Sequence, residues 1–138
     1  MYKKEGEMKI DHIALWVADL ETMKDFYVTR LGGKAGGLYH NPANRFTSCF
    51  ISFGEGCRLE LMHRPDITGK SDNEKQYTGL AHFSVSVGSW EVVRRLTEQL
   101  RTDGYTVTSD PRTTGDGYYE SVILDPEGNS VEITANVT

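Results

Sequence analysis

Asp11-His-Ile-Ala-Leu-Trp-Val17 and Ala81-His-Phe-Ser-Val-Ser-Val87 follow one pattern, an alternating strand with a histidine in second place. Each is followed by a helix start signal and an amphipathic run. Further along, Cys49-Phe-Ile-Ser-Phe-Gly-Glu-Gly-Cys-Arg-Leu-Glu-Leu61 matches Ser121-Val-Ile-Leu-Asp-Pro-Glu-Gly-Asn-Ser-Val-Glu-Ile133. The histidines are offset by 82 − 12 = 70 positions and the glutamates by 132 − 60 = 72. A repeat of this length predicts one structural unit built twice.

Each copy reads as a strand, a helix and three more strands. In the first copy a strand is expected at about 9–17. Asp19 can cap a helix over about 20–31 with Leu20, Met23, Tyr27 and Leu31 on one face, and Gly32 stops it. Strands then fall near 34–39, 46–53 and 57–63. In the second copy the elements are a strand at about 80–87, a helix capped by Ser89 with Val93, Leu96 and Leu100 aligned, and strands near 105–108, 117–124 and 129–134. The fold class is α+β: two tandem βαβββ units, at about 8–64 and 79–135, forming curled mixed sheets with helices on the outer face. Residues 1–7 read as a short extension and 64–78 as a linker.

Strand side chains alternate between faces, so residues of one parity point together. Ile13, Leu15 and Val17 are apolar, while His12, Ala14 and Trp16 lie opposite them. The same division places His82, Glu60 and Glu132 on the faces away from the helices. A lone polar residue there is ordinary, but two His and two Glu at matching places in two repeats are not. Two converging carboxylates would repel and raise the pKa of at least one. A divalent cation removes that conflict and suits two imidazoles with two carboxylates.

Composition narrows the classes. The chain has 138 residues, two cysteines and a net charge of −5, without the basic footprint of a nucleic-acid binder. No apolar run is long enough to span a bilayer, and two cysteines make no disulfide framework. A cytoplasmic protein with no membrane and no nucleic-acid partner is expected.

The paired units, the first-strand histidine, Phe26-Tyr27…Leu31-Gly32 and the Asp125-Pro-Glu-Gly…Val-Glu-Ile133 ending resemble the vicinal oxygen chelate superfamily of glyoxalases, bleomycin resistance proteins and dioxygenases. The likeness covers about residues 8–135, so 8–138 is expected to be one such domain. The His, Glu, His, Glu order is most similar to glyoxalase I. That resemblance implies one divalent ion (nickel, cobalt or zinc) held by His12, Glu60, His82 and Glu132. It also implies a homodimer, and isomerisation of a hemithioacetal, such as that of methylglyoxal with glutathione, to a 2-hydroxyacyl thioester. Glu132 is the expected base, with Glu60 second. Metal-dependent epoxide opening of the fosfomycin-resistance type, ring-cleaving dioxygenation and metal-free drug binding are the alternatives on the same fold.

Trp16, Cys49 and Ser121 are the expected pocket residues. A four-residue turn at Asp125–Gly128 would set Ser121 opposite Glu132. A matching turn at Phe53–Gly56 would set Cys49 opposite Glu60 and send Cys57 to the helix side. His40 and His63 fall outside the repeat and read as surface residues, and Arg45, Arg58 and Lys70 as solvated charges.

Overall fold

The computed structural model describes residues 6, 8–69 and 76–137. The expected extension at 1–7 lies outside the described residues except for Gly6, as do Lys70 and the linker positions 71–75. The chain divides into two compact units, Met1–Gly69 and Lys70–Thr138.

The first unit runs β1 (His12–Trp16), α1 (Leu20–Thr29), β2 (Lys34–Ala35), β3 (Tyr39–Asn41), β4 (Phe46–Ser52) and β5 (Arg58–His63). Its sheet has the order β1-β5-β4-β2, with β3 also on β4. β1 pairs β5 in parallel and the remaining pairs are antiparallel. The Asp19 side chain accepts the Thr22 amide at 3.0 Å, satisfying one of the free donors that open α1. The helix buries Met23, Phe26 and Tyr27. The single strand expected near 34–39 is two short ones, because Gly36 and Gly37 fall between them and offer no side chains to pack.

The second unit runs β6 (Phe83–Ser86), α2 (Trp90–Thr102), β7 (Val107–Thr113), β8 (Tyr118–Leu124) and β9 (Ser130–Asn136), in the order β6-β9-β8-β7. β6 and β9 are parallel, as β1 and β5 are. The Ser89 side chain caps α2 through the Val92 amide. At the other end Gly104, at φ +93°, lets Tyr105 N–H reach Leu100 O and its own N–H reach Arg101 O, a Schellman closure. β7 is longer than the expected 105–108. It carries Pro111 at the end of its sheet, where its register against β8 shifts between Ser109 and Arg112, the kind of place that tolerates a proline.

Each unit has its own core. In the first, α1 packs on β4 and β5 over Ile51, Leu59 and Leu61. In the second, α2 packs on β7, β8 and β9 over Ile123, Val131 and Ile133. Each such aliphatic side chain removed from water contributes about 1.5–3 kcal/mol. On the central strands these residues are odd-numbered, so the even-numbered Glu60 and Glu132 are turned the other way. The α+β class and the paired βαβββ plan are thus those read from the repeat.

Candidate functional site

Along β1 and β5, Ala14 is the strand partner of Glu60; along β6 and β9, Ser84 is the partner of Glu132. His12 and His82 each precede that partner by two residues, which returns the side chain to the same face. The two copies therefore build the same pair at the same register. His12 Nε2 lies 3.5 Å from Glu60 Oε1, and His82 Nε2 lies 3.0 Å from Glu132 Oε2. Among the described residues, no three His, Cys, Asp or Glu side chains gather into a metal-holding group, so each unit supplies a pair.

The pairs differ in their surroundings. In the first unit, Asp11 Oδ2 accepts from His12 Nδ1 at 2.9 Å and from Arg58 Nη2 at 2.9 Å. The bond from His12, then that from Arg58, holds the Asp11 carboxyl below its usual range. Arg58 also lies 4.1 Å over the Phe50 ring, which meets the His12 ring edge-on at 5.2 Å. Trp16, 45% exposed, meets Phe46 edge-on at 6.1 Å, with the Arg64 guanidinium 5.8 Å over its face. An aromatic surface with cations on it thus flanks the first pair.

In the second unit the neighbour of Glu132 is another carboxylate. Glu120 lies on β8 opposite Thr134, two residues from Val122, which is opposite Glu132. Partial burial pushes the Glu120 carboxyl up, and the hydrogen-bonded Glu132 beside it adds to the effect. Arg112, paired opposite Glu120 on β7, pulls the other way. Glu120 was missed in the sequence. Its signal was present, since alternation from Val122 puts it on the face of Glu132 once the hairpin length is known.

That length is where the sequence reading fails. Leu124 pairs Ser130, and Asp125 N–H donates to Asn129 O, while Gly128 N–H closes a turn onto Asp125 O. Gly128 has φ +87°. This is a type I turn followed by a left-handed residue, one residue longer than the four-residue turn expected. Partners therefore sum to 124 + 130 = 254, and a one-residue change turns every side chain over. Val122, not Ser121, faces Glu132; Phe50, not Cys49, faces Glu60. Cys49 is 1% exposed, its thiol directed to Gly36 O at 3.5 Å. Ser121 is fully buried and bonds Thr97 Oγ1 of α2 at 2.7 Å. Neither is a pocket residue, and Cys57, expected on the helix side, is exposed.

Trp16 stays on the His12 face. His40 is exposed and pairs Thr47. His63, expected at the surface, is half-buried and donates from Nδ1 to Val17 O at 2.9 Å. Arg58, read as a solvated charge, is committed to Asp11 and Phe50.

Two βαβββ units, each with a His–Glu pair at one register, define a duplicated sheet architecture with that pair on the face away from the helix. The family profile of the Glyoxalase/Bleomycin resistance protein/Dioxygenase superfamily matches residues 9–133, and the chain belongs to that superfamily. A lactoylglutathione lyase of Escherichia coli O157:H7 is 26% identical over 130 residues, 91% of each chain. Among solved structures, the trypanothione-dependent glyoxalase I of Leishmania major aligns with a TM-score of 0.74 at 22% identity, covering 94% of this chain and 87% of its own. A glyoxalase/bleomycin resistance protein/dioxygenase domain from Frankia aligns at 0.78 and 19% identity, covering 95% and 99%. Among the described residues, no helix is long and apolar enough to cross a membrane.

Proposed function

We propose that the protein is a metal-dependent glyoxalase I-type enzyme, acting on the hemithioacetal of a 2-oxoaldehyde and a thiol and releasing a 2-hydroxyacyl thioester. The observation that carries this reading is the identical placement of the two pairs, His12–Glu60 and His82–Glu132. Two imidazoles and two carboxylates fit nickel, cobalt or zinc, and these four residues are the proposed ligands of one ion. When bound, that ion supplies positive charge against the enediolate that forms as the substrate loses a carbon-bound proton.

The remaining work is done by the protein's own groups. Glu132 takes the proton from the carbon bearing sulfur and returns it to the neighbouring carbon, with Glu60 the second candidate for that base. Trp16 and Phe46 offer an apolar surface for the substrate's unreactive part. The similarity to a lactoylglutathione lyase supports methylglyoxal with glutathione as the pair to try first. We place the enzyme in the cytoplasm as a homodimer, with 8–138 as one domain.

Chelated protein titrated with nickel, cobalt and zinc tests the ligands. His12→Ala or His82→Ala should weaken binding by more than the roughly 10–100-fold that loss of an outer partner causes. Glu132→Gln should keep much of the affinity and lose about 10²–10⁴-fold in turnover of the methylglyoxal–glutathione adduct. Parental metal binding in both histidine variants would refute the site, and full activity in Glu132→Gln would refute the assigned base.

A further inference from the structure

The two histidines stand at equivalent positions, yet among the described residues they differ in what meets the ring: His12 has Asp11 on Nδ1 in addition to its glutamate. At the places in the second unit that match Asp11, Phe50 and Arg58 stand Ala81, Val122 and Ser130. His82 is accompanied by Glu132. His12 is one member of a closed circuit: its Nδ1 on Asp11, Asp11 on Arg58, Arg58 over Phe50, and Phe50 edge-on to the His12 ring. We propose that Asp11, itself anchored by Arg58, is a positioning residue that fixes the hydrogen of His12 on Nδ1 and leaves Nε2 aimed at Glu60. The inference rests on the reading of His12 as a metal ligand.

The chemistry follows from the donor inventory. An ionised carboxylate only accepts hydrogen bonds, and of the two carboxylates at the ring Asp11 is the nearer, at 2.9 Å against 3.5 Å for Glu60, so Nδ1 carries the hydrogen. In the neutral ring the lone pair is then on Nε2, the atom 3.5 Å from Glu60 Oε1. A carboxylate on the far nitrogen of a ligating imidazole orients the ring and raises its basicity. Arg58 keeps Asp11 in place from the adjacent strand, and its stacking on Phe50 keeps Arg58 in place. The first unit thus presents a histidine set for metal before any metal arrives. In the second unit the position that matches Asp11 is Ala81, which offers no carboxylate, and the carboxylate beside His82 is Glu132, 3.0 Å from Nε2.

The test uses the full chain, metal-free, at a pH where both rings are neutral. Long-range ¹H–¹⁵N correlation spectra report which nitrogen of each ring carries the hydrogen. His12 should be in the Nδ1–H form and move toward Nε2–H in Asp11→Ala, with His82 unchanged. Nickel affinity should fall about 10–100-fold in Asp11→Ala, the usual effect of removing an outer-shell partner. Asp11→Asn, whose amide oxygen still accepts, should recover part of both. An unchanged His12 tautomer and nickel affinity in Asp11→Ala, alongside lost binding in His12→Ala, would overturn the positioning role and leave the ligand assignment standing. Parental nickel binding in His12→Ala would overturn both.

Discussion

Cys49 and Cys57 lie eight positions apart (57 − 49), on β4 and in the loop that joins it to β5, and they report the register of that hairpin. Cys49 is 1% exposed and Cys57 is exposed. Burial also raises the Cys49 thiol above its ordinary pKa, so less thiolate is present to react. Attack on Cys49 requires the core of the first unit to open. If opening takes about 5 kcal/mol, the lower end of ordinary domain stability, the reactive population is reduced by a factor of roughly 10³–10⁴. A chromogenic aromatic disulfide in excess should therefore titrate one thiol per chain quickly and the second only in denaturant. In Cys57→Ser the fast phase should vanish. Two fast thiols in the native protein, or a fast phase surviving in Cys57→Ser, would mean that Cys49 lies on the open face. The pairing of Phe50 with Glu60 would then be wrong, and with it the placement of the first His–Glu pair.

Two further outcomes are expected. Gly128→Ala puts a side chain into the left-handed region, which costs about 1–2 kcal/mol; the urea midpoint should drop with an unchanged slope, and no drop would refute the turn assigned to 125–129. Glu120 is a carboxyl whose folded pKa is raised, so its favourable contribution is complete below the unfolded carboxyl range and is lost as pH rises through the folded value. Glu120→Gln should accordingly stabilise the metal-free protein at pH 7 and not at pH 3, measured by chemical denaturation; equal effects at both would show that burial and Glu132 do not raise the Glu120 carboxyl in the folded protein.

The repeat made the fold legible, because two matching histidine strands and two matching glutamate hairpins allow few arrangements. The facing of His12, Glu60, His82 and Glu132 was legible for a similar reason: the strands that carry them alternate cleanly, with Leu59 and Leu61, or Val131 and Ile133, marking the other side. What failed was the partner strand. Phe46-Thr-Ser-Cys-Phe-Ile-Ser52 and Tyr118-Tyr-Glu-Ser-Val-Ile-Leu124 mix apolar and polar residues on both faces, so their parity had to be inferred from the turn. Asp125-Pro-Glu-Gly128 opens a type I turn with or without an extra left-handed residue, and only the backbone decides between them. That single residue moved Cys49 and Ser121 into the cores and concealed Phe50 and Glu120. The circuit around His12 was illegible for another reason, since Asp11, just ahead of β1, meets Arg58 of β5 through a strand pairing that no local pattern announces.

The five-residue loops at 53–57 and 125–129 also bear on how such a chain can change by descent. Exposed loop tips ordinarily absorb insertions and deletions. Here the loss of one residue leaves two ways to re-close the hairpin: a different turn, or a slipped strand that trades Glu60 for Leu61, or Glu132 for Ile133. The second outcome parts the His–Glu pair and exposes the core together. The two copies keep the same loop length, although the span from histidine to glutamate is 60 − 12 = 48 in one and 132 − 82 = 50 in the other. Their divergence in length has accumulated upstream of the hairpin, where an added residue turns no glutamate over.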